Sequence, residues 1–189
     1  MESIDKREAV MQALMELVAE NGFHGSPMSL VAKRAGVATG TIYHYFESKE
    51  MLIRDTYAEL EGQLLAAVSM EYPAERSVRE RFMHIGRTLT RSFLASPLQF
   101  RFLEQFHNSP YGAESRRSRM VEGKGDIVTR LFEDAVAQQL LKELPLPVLF
   151  ALTFGPLLVV SRDHILEVLE LDEHLVEKTV EACWDAVKR

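Results

Sequence analysis

Residues Ser26 to Glu50 read SPMSLVAKRAGVATGTIYHYFESKE. The stretch predicts two short helices, a tight glycine turn between them, and the start of a third. Ser26-Pro27 is a helix-start pair, an N-cap hydroxyl followed by a proline whose φ already suits the first turn. Leu30, Val31, Ala32 and Ala35 give the first short helix an apolar face, and the two alanines permit a steep crossing. Gly36 takes the turn, where positive φ penalises a side chain, and Val37 plugs it. The second short helix is expected over Thr39 to Phe46, with Ile42, Tyr45 and Phe46 available to the core. This is the pattern of a helix-turn-helix, whose second helix enters a major groove by its N-terminal half.

Upstream, Val10, Leu14, Leu17 and Val18 fall at helical spacing in a helix from about Asp5 to Glu20, with Asp5 and Glu8 spaced as a capping box. Asn21-Gly22 ends it. Downstream, Ser48 suits the cap of a long helix from Lys49 to Met70, which connects the reader to the rest. Further helices are expected at 74–95, 97–108, 114–141, 145–169 and 172–188, broken at proline and glycine. Sustained alternation is lacking, so no strands are expected. The fold class is therefore all-α, with a helix-turn-helix domain over 1–47 and a second helical domain over 48–189, the one to which regulation and dimerisation would fall under the resemblance described below.

The 189 residues carry a net charge of −6, which alone disfavours a nucleic-acid partner. Its distribution restores the reading. Between Gly22 and Lys49 the charges are Lys33, Arg34 and Lys49 against Glu47, a sum of +2, leaving −8 elsewhere. One cysteine, Cys183, excludes an intrachain disulfide and reads as a packing residue. The N-terminus lacks a signal-peptide core. Leu144 to Val160 is apolar but short for a membrane span and holds three prolines, so it reads as a buried core helix. A cytoplasmic protein with no membrane partner is expected.

Phe23, Ser26, Val31-Ala32, Ala35-Gly36-Val37, Gly40-Thr41-Ile42-Tyr43, Tyr45-Phe46 and Ser48-Lys49-Glu50 together resemble the N-terminal domain of the TetR family of transcriptional regulators. The likeness runs from about Glu8 to Leu52. It implies operator double-stranded DNA as partner. Thr39 is the candidate for reading a base edge, and Gly40 leaves room for close approach. Thr41, Tyr43 and His44 lie on or near the groove side. Lys49, Ser26 and Ser29 are candidate phosphate contacts. Ala38 departs from the Ser or Thr usual in the family, which removes one cap and one phosphate ligand.

The resemblance also implies a homodimer built on the last two long helices, with Phe150, Phe154, Leu158, Leu175, Thr179, Ala182 and Ala186 as candidate interface residues. A small-molecule effector, apolar or aromatic with one polar end, is expected among Phe82, Phe93, Phe102, Phe106, His107, Tyr111, Met120 and Arg162. Gly155-Pro156 should kink its helix, either shaping a cavity or bending it round the core. The expected function is a ligand-responsive regulator, a repressor that leaves a palindromic operator when its effector binds. The alternative is a helical protein-interaction module without sequence-specific DNA binding. No nucleophile elbow, P-loop or metalloprotease motif is present. The pair His164 and Glu167 is a weak metal signal, so neither enzyme activity, metal nor cofactor is expected.

Overall fold

A computed structural model describes residues 6–122 and 125–189, with the side chains of 119–122 excepted. The described residues form eleven α-helices and no strand, only an isolated antiparallel bridge between Leu141 and Lys188. They are α1 (Lys6–Asn21), α2 (Met28–Ala35), α3 (Thr39–Tyr45), α4 (Lys49–Ser69), α5 (Val78–Ala95), α6 (Pro97–His107), α7 (Pro110–Glu122), α8 (Ile127–Ala137), α9 (Leu146–Thr153), α10 (Gly155–Ile165) and α11 (Glu173–Val187). The chain divides into two compact units, one of residues 1–62 and 98–121, the other of 63–97 and 122–189. Helices α6 and α7 fall in the same unit as residues 6–47, for which a helix-turn-helix domain is expected.

In the first unit, α1 buries Val10, Met11, Leu14, Leu17 and Val18. It ends where Gly22, at φ 68°, turns its N–H back to the Val18 carbonyl at 2.9 Å. Val31 and Ala32 of α2 are buried, and Gly36 closes that helix in the left-handed region. Val37 N–H then reaches the Ala32 carbonyl at 3.0 Å. Leu52, Ile53, Tyr57 and Leu60 line the buried face of α4. Its start is capped as expected, with Ser48 Oγ accepting from the Met51 N–H at 3.1 Å.

The second unit is organised by α5 and α11. Ser77 and Glu80 form a complete capping box at the head of α5. This box starts the helix at Val78, four residues later than apolar spacing suggested. Phe82, Met83, Ile85 and Phe93 are buried along it. A Cβ on Gly86 would lie 2.5 Å from Val180 Cγ1, so glycine permits the close approach of α5 to α11. Arg79 pairs with Glu181, Arg87 with Glu177 and Arg91 with Glu173, an order that makes the two helices antiparallel. Cys183 is buried in this core as a packing residue, and burial pushes its thiol up to about 11.

Two further stretches differ from expectation. The helix expected over 114–141 is two helices. Pro110 opens α7, and Asp126 accepts from the Thr129 N–H at 2.8 Å to begin α8 afresh. The apolar stretch 144–160 is not a wholly buried helix. It becomes α9 and α10, with a kink at Phe154, before Gly155-Pro156. Leu149, Thr153, Leu157 and Ser161 point inward at four-residue spacing, while Val148, Leu152 and Val159 are 40%, 39% and 44% exposed. Leu146–Ile165 is also long and apolar enough to cross a membrane, by length and composition alone. The Asp5 half of the expected capping box lies outside the described residues.

Candidate nucleic-acid interface

Helix α3 has seven residues, and Ile42 alone among them is buried. Thr39, Gly40, Tyr43, His44 and Tyr45 are exposed, with Thr41 half-buried. A Cβ added to Gly40 would meet nothing within 4 Å, so glycine serves no packing purpose there. It leaves the first turn of α3 bare to whatever approaches. Ala38 occupies the N-cap in extended backbone and supplies no side-chain hydrogen bond, so the first N–H groups of α3 lack a side-chain cap.

Tyr45 differs from the reading as core. It is 39% exposed, with its ring edge-on to His44 at 5.3 Å between centroids, while Phe46 is buried under Arg7. Tyr43, 53% exposed, and Tyr45 thus put two aromatic hydroxyl side chains on the same short helix. The signal for Tyr45 was the helix end itself. Phe46 lies just past it in extended backbone and takes the inward direction.

The positive charges are less available than their number suggests. Arg34 lies 2.9 Å from Glu20 and 3.2 Å from Glu16 of α1, and these hydrogen bonds hold its guanidinium above the usual arginine range. Lys49 is half-buried and donates to the Phe23 carbonyl, and burial holds its ammonium below the usual lysine range. An ammonium has three donors, so this bond leaves two for a phosphate while fixing where the charge sits. Lys33 is exposed on α2.

Of the two serine candidates, Ser29 is exposed on α2. Ser26 is 0% exposed and gives its hydroxyl to the Gly22 carbonyl at 2.8 Å. The N-cap of α2 is Pro27, without a side-chain bond. Ser26 therefore closes the α1–α2 turn from inside rather than facing a phosphate.

The residues proposed for an effector fall into both units. Phe102, Phe106, His107 and Tyr111 belong to the first, where Phe106 stacks on Tyr57 at 3.8 Å and His107 meets Tyr57 edge-on at 5.5 Å. Phe82, Phe93 and Arg162 belong to the second. There Phe82 contacts Phe132, Phe154 and Trp184, with centroids 5.3 to 6.5 Å apart. Arg162 is 43% exposed along its side chain and lies 3.7 Å from Asp163. Its neighbour Ser161 is the one turned inward, fully buried, with Oγ lacking a hydrogen-bond partner among the described residues. Met120 lies outside the described side chains.

Of the interface candidates, Phe150 and Phe154 are half-buried and pack on Phe132 at 4.9 and 5.8 Å. Leu158, Leu175 and Thr179 are half-buried, and Ala182 and Ala186 are exposed on α11. Val148, Leu152 and Val159 were not singled out from sequence, although their spacing places them on the outer face of α9 and α10.

Comparison with known proteins gives this arrangement a family. The description "Bacterial regulatory proteins, tetR family" matches residues 10–56, and "Tetracyclin repressor-like, C-terminal domain" matches residues 77–188. The chain is 38% identical over 72 residues to the fatty acid metabolism regulator protein of Bacillus subtilis, a match that covers 38% of this chain and 37% of that protein. An uncharacterised helix-turn-helix transcriptional regulator of Haemophilus influenzae is 22% identical over 98% of this chain and 97% of its own. The crystal structure of a TetR-family regulator from Marinobacter aquaeolei superposes with a TM-score of 0.83 at 27% identity, covering 97% of this chain and 95% of that one. Since the C-terminal description alone takes in more than half its length, the chain belongs to the TetR family, whose members are DNA-binding regulators of transcription.

Proposed function

We propose that the chain is a homodimeric repressor that binds a palindromic operator and releases it when a small apolar or aromatic effector binds. The observation that carries the reading is the bare face of α3, where Thr39, Gly40, Tyr43 and His44 are exposed together. Thr39 reads a base edge, and Lys49 and Ser29 hold phosphates. Dimerisation uses the outer faces of α9 to α11, where Val148, Leu152 and Val159 of α9 and α10 and the small residues Ala182 and Ala186 of α11 are exposed. A dimer fixes the spacing of two readers, and effector and operator then compete through that spacing.

Selection of bound duplexes from a random pool tests this. The expected product is a palindrome whose binding weakens steeply with salt. Thr39→Ala should change the preferred base at one half-site position, whereas Lys49→Ala should weaken all sequences alike. Recovery of no preferred sequence would refute the reading. Trp184, the chain's single tryptophan, is buried beside Phe82, so a change in its fluorescence is the readout expected for an effector that binds in the second unit. The name of the Bacillus relative puts fatty acids first in a screen for the effector, beside aromatic compounds.

A further inference from the structure

The turn between α1 and α2 is held from three directions inside the first unit. From α6, Gln105 Nε2 donates to the Val18 carbonyl at 2.7 Å. That carbonyl already accepts from the Gly22 N–H at 2.9 Å, so the glutamine satisfies no orphan. Its amide sits over the left-handed cap, with Oε1 3.6 Å from where a Gly22 Cβ would stand. Phe102 of α6 and Tyr111 of α7 both meet the Phe23 ring edge-on, at 5.7 and 5.5 Å. From the head of α4, Lys49 donates to the carbonyl of the same Phe23. Ser26 closes the turn from within.

The two helices beyond this turn are short. Helices α2 and α3 have eight and seven residues, below the length at which a helix holds itself in water. Their direction is inherited from the turn and from packing on α1. A side chain that binds an already satisfied carbonyl adds orientation: its bond is good only while α6 keeps its place against the end of α1. We infer that α6 sets the geometry of the DNA reader directly through the α1–α2 turn, with Gln105 as the positioning residue. The inference rests on α3 being the DNA-contacting helix.

Gln105→Leu removes the donor and keeps most of the volume. Gln105→Lys restores a donor of comparable reach. With the selected duplex as probe, Gln105→Leu should bind about three- to tenfold more weakly, the range set by one net hydrogen bond. Amide exchange over 22–45 should quicken, while exchange in the second unit stays that of the parent. Gln105→Lys should recover both affinity and protection. Parental affinity and exchange in Gln105→Leu would overturn the inference. So would faster exchange spread evenly through both units, or a loss that Gln105→Lys does not recover. If the parent selects no duplex, the DNA-reader assignment fails on that result, and the exchange measurement, which needs no DNA, still decides whether α6 holds the turn.

Discussion

Helices α3 and α5 illustrate opposite ways of being stable. Helix α5 has eighteen residues, a complete capping box, seven buried positions and a ladder of arginine pairs to α11. Helix α3 has seven residues, an alanine cap that caps nothing, one buried side chain and a glycine in its first turn. By local criteria α3 barely qualifies as a helix, and its neighbours hold it. The face proposed to read DNA thus sits on an element that contributes little to its own stability.

Removing the best-packed ring of the strong helix should have the largest effect. Phe82→Ala empties a site between Phe132, Phe154 and Trp184, and should cost about 3 to 5 kcal/mol in urea denaturation. Ile42→Ala should cost about 2 to 5 kcal/mol and abolish operator binding, because the sole buried anchor of α3 is lost. Retained DNA binding in Ile42→Ala would show that α3 does not depend on its anchor, and would break the contrast.

Smaller changes test the caps. Ser77→Ala should destabilise by about 1 kcal/mol through loss of the box at α5. Ala38→Ser should add about 1 kcal/mol at α3 and strengthen operator binding, by supplying the missing cap and a hydroxyl for a phosphate. A thermal scan with a gel shift reads both. Gly40→Ala should have the smallest effect on folding, a gain of about 0.5 to 1 kcal/mol, since the added methyl meets only open space. The same methyl should weaken operator binding. Unchanged binding would mean the duplex does not approach that turn.

The sequence carried the helix-turn-helix well because its signals are local. Gly22 and Gly36 do lie at positive φ, Ile42 and Phe46 are buried, and Ser48 caps α4. It carried side-chain direction less well. Ser26 and Arg34 looked available by type, yet one closes a turn and the other is taken by two glutamates 14 and 18 residues away. Ser161 and Arg162 show the same limit at the scale of one residue. A helix turns about 100° per position, so the arginine favoured for its chemistry faces out and the serine beside it faces in. Periodicity through 114–141 concealed the restart at Asp126 because α7 and α8 are each helical. The place of α6 and α7 beside the reader depends on contacts such as Gln105 to Val18, which no spacing rule encodes.

The small bridge at the end of α11 does not stand alone. Lys142 N–H bonds the Val187 carbonyl at 2.8 Å, Arg189 N–H bonds the Leu140 carbonyl at 3.0 Å, and Arg189 pairs with Glu143 at 2.6 Å. The segment after α11 is thereby stitched to the loop that precedes α9. Arg189→Ala would cut the side-chain thread to Glu143 and leave that segment held to the loop by its backbone bonds alone.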